Sequence, residues 1–201
     1  LSLFADDDLI FGANGDLSSG NEPIIMTADA VSVADGTSGA LTMDAGTLVN
    51  SGTGQITLSA DEDITLGQLT SAFATGGSEA VSVITSSGSI LEAGDTGPEI
   101  IANSGGYVTL EAAGRVGASG PVDVTGALPA TKLDLSVTDL RLGGTPDDTA
   151  IDITTAGVSV TANSQAGGGN SNLLLQSNGD LTVSAWDPES GQNDNIGIVL
   201  S

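Results

Sequence analysis

Residues 56–66 read ITLSADEDITL and residues 1–11 read LSLFADDDLIF. Each stretch has two aliphatic residues two positions apart, a small residue, three acids, and a second apolar pair two apart. A catalytic motif needs to occur once, whereas a motif written twice points to an architectural unit. Searching for further copies gives unit starts at Leu1, Ile24, Leu41, Ile56, Val81, Val108, Leu133, Ile151, Leu173 and Ile196. Two residues later stand Leu3, Met26, Met43, Leu58, Val83, Leu110, Leu135, Ile153, Leu175 and Ile198. The alternation has period two, so each copy reads as a strand with one face buried.

The mean step between starts is about 22 residues. Short strands recurring at that period, with no helical pattern between them, predict an all-β, right-handed parallel β-helix (a β-solenoid) of about nine coils. Stacked coils place equivalent residues over one another at about 4.8 Å, which explains why one position stays aliphatic throughout. Leu3, Met26, Met43 and Leu58 are accordingly expected to share one interior column. Ile100/Ile101 and Val122/Val124 read as third strands of longer coils. Residues 1–201 form one segment, expected to be continuous with a longer rod because both ends fall inside a strand pair.

Composition narrows the function classes. The chain carries 26 acids against three cations, Arg115, Lys132 and Arg141, for a formal charge of −23. Such a surface repels phosphate backbones and anionic lipid, so neither nucleic acid nor a membrane is an expected partner. No apolar run is long enough to span a bilayer. His and Cys are absent, which removes Ser–His and Cys–His nucleophiles and the usual zinc ligands. Aromatics are few, leaving the core to Leu, Ile, Val, Ala and Thr.

The stretches GSILEAGDTGPEIIANSGGYVTLEAAGRVGASGPVDV (88–124) and SNGDLTVSA (177–185) resemble the repeat regions of filamentous-haemagglutinin-like bacterial exoproteins and giant adhesins. The looser cadence covers essentially the whole chain. The resemblance implies a right-handed parallel β-helix, an extracellular or cell-surface location, and an adhesive or spacer role. The Asn-Pro-Asn signatures of the secretion module in such proteins do not occur in this sequence, and the resemblance names no ligand.

Two residue groups are candidates for chemistry. Asp6, Asp8, Asp29, Asp61 and Asp63 fall near one corner of the repeat, where stacked carboxylates and turn carbonyls suit Ca²⁺. The alternative is a plain solvated acidic edge, since neither an EF-hand loop nor a Gly-rich Asp nonapeptide is present. Trp186 and Asp187, in SAWDPESGQND, together with Tyr107 are the candidate receptor or glycan contacts. Polysaccharide cleavage by paired carboxylates is a remoter alternative, for lack of an aromatic platform and of clustered cations. The expected protein is a structural or adhesive surface rod without catalysis or cofactor, able to associate end to end. The alternative is a glycan- or protein-binding module using the lateral segments 94–106, 117–132 and 186–195.

Overall fold

In the computed structural model the chain is all β, with no helix among the described residues, which are 1–29, 39–144, 146, 148–155, 157–162, 172–184 and 195–200. The strands recur in rounds. The first round is β1 (Ser2–Phe4), β2 (Leu9–Phe11) and β3 (Leu17–Ser18). The second is β4 (Ile24–Thr27), β5 (Leu41–Met43) and β6 (Leu48–Asn50). The third is β7 (Ile56–Ala60), β8 (Ile64–Leu66) and β9 (Gln68–Thr70). The fourth is β10 (Glu79–Thr85), β11 (Ile90–Glu92) and β12 (Ile100–Ala102). The fifth is β13 (Tyr107–Ala112), β14 (Arg115–Val116) and β15 (Leu133–Val137).

The last three rounds have two strands each among the described residues. These are β16 (Asp139–Gly144) with β17 (Asp148–Ile153), β18 (Val158–Ala162) with β19 (Asn172–Ser177), and β20 (Leu181–Ser184) with β21 (Asn195–Leu200). Every strand pairing is parallel. The opening strand of each round joins one eight-stranded sheet, in the order β1-β4-β7-β10-β13-β16-β18-β20. The remaining strands join a second sheet, whose two halves meet at β17. There Arg115 and Val116 of β14 pair with Asp148 and Thr149, while Leu133 to Leu135 of β15 pair with Ile151 to Ile153. The two halves separate in round five because residues 117–132 intervene between β14 and β15; in round six the chain runs straight through.

The period-two alternation has the expected packing consequence. Leu3, Met26, Leu58, Val83, Leu110, Leu142 and Ala162 are successive register partners on the first sheet. From Met26 onward each is essentially sealed from solvent, and they belong to one continuous aliphatic core. Among the described residues the fully buried apolar side chains are Ile, Leu, Val, Met and Ala, with no aromatic among them. Ala60 and Ala112 end the opening strands of their rounds and Ala28 directly follows β4; Thr85 stands in register with Ala60 and Gly144 with Ala112, so small residues recur where the chain turns toward the second sheet.

Three sequence expectations change in detail. Met43 is not in the Leu3 column: it lies on β5 in register with Phe11, and Met26 pairs directly with Leu58. The first sheet shows eight rounds with steps of 23, 32, 25, 27, 32, 20 and 23 residues, a mean of 26 rather than about 22. The difference arises because first, second and third strands share one aliphatic alternation, so Leu41, Leu133, Ile151, Leu173 and Ile196 were counted as new rounds although they lie on the second sheet. Of the two proposed third strands, Ile100/Ile101 is β12. Val122 lies in no strand and instead packs, with Ala118 and the partly buried Leu128, over Ala150 and Leu174 on the outside of the second sheet.

Gly117 begins that excursion. Its φ is +65°, and a Cβ there would overlap the Ala150 carbonyl oxygen and stand 2.6 Å from the Leu133 nitrogen. Gly77 has a similar φ of +75° but open space around it. Gly77→Ala is expected to cost about 1 kcal/mol, the ordinary left-handed penalty, and Gly117→Ala at least about twice that, because backbone must also move. Paired urea denaturation of the two variants checks the ranking.

Candidate functional site

The five acids singled out in the sequence lie along one corner, between the first and second sheets, in three successive rounds. Asp6 and Asp8 sit between β1 and β2, Asp29 follows β4, and Asp61 and Asp63 sit between β7 and β8. The carboxylates of Asp8, Asp61 and Asp63 have local structural partners. Asp8 Oδ1 accepts the Ala40 N–H at 2.9 Å and Asp63 Oδ1 accepts the Ser89 N–H at 2.7 Å, in each case from the following round. Ser89 Oγ continues the pattern by accepting the Arg115 N–H at 3.0 Å. The residue before the second-sheet strand therefore caps an amide of the next round that the ladder leaves over. The Ser86 hydroxyl donates to Asp61 Oδ1, and Asp29 takes a left-handed turn with φ 55°. Asp29 and Asp61 share a shallow depression with Thr27, Ser59 and Ser86. Among the described residues no three acids converge closely enough to hold a metal ion.

A second group of carboxylates was not singled out in the sequence. Glu99 just before β12, Asp134 on β15 and Asp152 on β17 occupy one column, since Ile100 pairs with Leu135 and Asp134 with Asp152. Glu99 is only 1% exposed. Its Oε2 accepts the Asp134 N–H, while its Oε1 is buried without a hydrogen-bond partner, as is Asp152 Oδ1. Burial pushes the Glu99 carboxyl up to about 8; the Asp134 and Asp95 charges add to the rise, and the backbone N–H bonds oppose it. Burial also raises Asp152, with the Asp134 charge adding and Lys132 opposing. Lys132 Nζ reaches Asp134 at 3.0 Å. Burial alone would lower its pKa, but the Asp134 hydrogen bond and the Asp134, Asp152 and Glu99 charges together raise it. The signal for this column lies in its register, hidden in the sequence by the long segment between Glu99 and Asp134.

The third feature is a groove of about 320 Å³ on the outer face of the first sheet, which includes Tyr107. The Arg141 guanidinium carbon stands 3.4 Å from the centre of the Tyr107 ring, a cation–π stack, and Arg141 Nη2 is 3.8 Å from Asp139 Oδ2. Arg115 approaches Asp148 at 3.8 Å, while Asp123 caps its own turn, accepting the Thr125 N–H and O–H, which lowers its pKa. Trp186 and Asp187 lie outside the described residues. Of the three lateral segments, 94–106 contains β12, 117–132 folds back on the second sheet, and most of 186–195 lies outside the described residues.

No helix among the described residues is long and apolar enough to cross a membrane. No family model, curated protein or solved structure matches the chain.

Proposed function

We propose that this chain is a segment of a right-handed parallel β-solenoid, serving as a stiff acidic rod, a spacer or adhesive stalk at a bacterial surface or in the medium, without catalysis. One observation carries the reading: every pairing is parallel and successive rounds share a single aliphatic core. Two parallel sheets visited in turn by every round are the walls of a solenoid, and the right-handed rule for parallel crossovers sets its hand. Eight rounds at about 4.8 Å give a rod of roughly 38 Å. The −23 charge keeps such rods apart laterally, since like-charged sides repel at low salt. Contact between such rods is then favoured end to end rather than along their charged flanks. The extracellular placement rests on the adhesin-like cadence of the sequence.

Small-angle scattering on the purified chain tests the rod. A distance distribution skewed toward a long axis is the expected result. A symmetric, globular distribution would overturn it.

A further inference from the structure

The outer face of the first sheet is mostly a field of small hydroxyls. The column through Ile25, Thr57, Ser82, Thr109, Arg141, Thr161 and Ser184 carries Ser or Thr at five of seven positions. Its neighbour begins at the exposed Phe4 and continues with hydroxyls at Thr27 and Ser59. Rounds four to six break this pattern. There Ile84, Glu111 and Gly143 follow in one column, Glu79 faces Tyr107 in another, and Arg141 replaces the hydroxyl in the middle one. The tall side chains stand around short ones. Ser82 is 3% exposed although its strand position faces outward, so it forms a floor that its neighbours enclose. At Gly143 an added Cβ would come within 2.9 Å of Glu111 Cγ, so the missing side chain leaves the space into which Glu111 lies.

The chemistry of this depression is mixed in a particular way. The Arg141 fork presents fixed N–H donors, held flat by the Tyr107 ring. Glu79 and Glu111 line the same groove with acceptor oxygens, and Thr109 supplies a hydroxyl on its floor. Ile84, 37% exposed, adds an apolar patch at one side. Donor fork, carboxylate acceptors, hydroxyls and an apolar strip together match a ring bearing several hydroxyls and one face of C–H groups. An anion would meet Glu79 and Glu111; a cation would meet Arg141.

We propose that the groove centred on Ser82, Thr109 and Arg141 is a binding site for a neutral saccharide. The site goes beyond the structural role of the rod and would make its flank adhesive. It stands or falls separately, because scattering reads the shape and saccharide titration reads the groove.

Tyr107 is the single tyrosine of the chain, so ¹³C-tyrosine labelling gives one set of ring resonances at the site. The full chain is titrated with linear neutral hexasaccharides of glucose, mannose, galactose and N-acetylglucosamine, and in parallel with hyaluronan and sialyllactose. The expected result is a saturable shift of the Tyr107 resonances with at least one neutral hexasaccharide. Binding should weaken at least tenfold in Gly143→Thr, which fills the groove, and in Arg141→Lys, which keeps the charge and loses the fork. Circular dichroism confirms that the variants retain the fold, and the milder Glu111→Gln serves if Gly143→Thr does not. No shift with any neutral sugar, a response confined to the acidic sugars, or full binding by the folded variants would each overturn the proposal.

Discussion

Glu99→Gln is expected to stabilise the protein at alkaline pH and to leave it nearly unchanged at pH 4. The buried carboxyl holds its proton up to about pH 8, against an ordinary value of 4.5. The folded chain therefore binds one more proton than the unfolded chain across that interval, and stability falls as pH rises through it. The contribution is complete below about 4.5 and gone above about 8. Glutamine has the shape of the protonated carboxyl, can accept the Asp134 N–H in the same way, and does not ionise beside Asp134 and Asp95. The gain should reach roughly 2–4 kcal/mol above pH 8, on the order of 5–15 °C in melting temperature for a chain of this size. Thermal melts of both proteins from pH 4 to pH 9 measure it. A difference that stays flat across the range would mean that Glu99 ionises normally and is not sealed.

Leu110→Ala is expected to be the most damaging of the simple truncations along the first-sheet column. Leu110 is fully buried, with Val83 on one side and Leu142 on the other. Removing its isobutyl group leaves a cavity that neighbouring strands, pinned by parallel ladders, cannot close; the cost is about 2–5 kcal/mol. Leu3→Ala, in the same column, should cost only about 1 kcal/mol, because Leu3 is partly exposed and has Met26 on one side alone. Nearest-neighbour coupling also localises the damage, so amide exchange should quicken in rounds four to six of Leu110→Ala before it does elsewhere. Equal losses from the two substitutions would refute a continuous column.

The period-two aliphatic pattern was enough to expect strands with one buried face, and its recurrence about every 22 residues without helical segments between was enough to expect parallel stacking. It was not enough to tell one face of the stack from another. Leu41 and Ile56 obey the same rule for the same physical reason, yet one lies on β5 and the other on β7. The acids at Asp8 and Asp63 were legible as a shared corner, while their role in capping amides depends on distances that no spacing encodes. Glu99 and Asp134 stand 35 positions apart and still share a hydrogen bond, so their column is visible only once the register is known. The saccharide groove was signalled by Tyr107 alone. Its Arg141 and Gly143 come from β16 and its Glu111 from β13, and all three look unremarkable in the chain.

The excursion 117–132 changes how the far half of the molecule should come apart. A stack whose tiers touch only their neighbours can fray from its tip, one tier at a time. Here Ala118 and Val122 press on Ala150 and Leu174, and the Val124 carbonyl lies against Gly197, where an added Cβ would overlap it. One segment leaving the fifth tier thus fastens the sixth, seventh and eighth from outside, as a splint does. Peeling from that tip requires the splint to lift first, so the last four tiers should melt as a block, whereas among the described residues nothing comparable binds the first three.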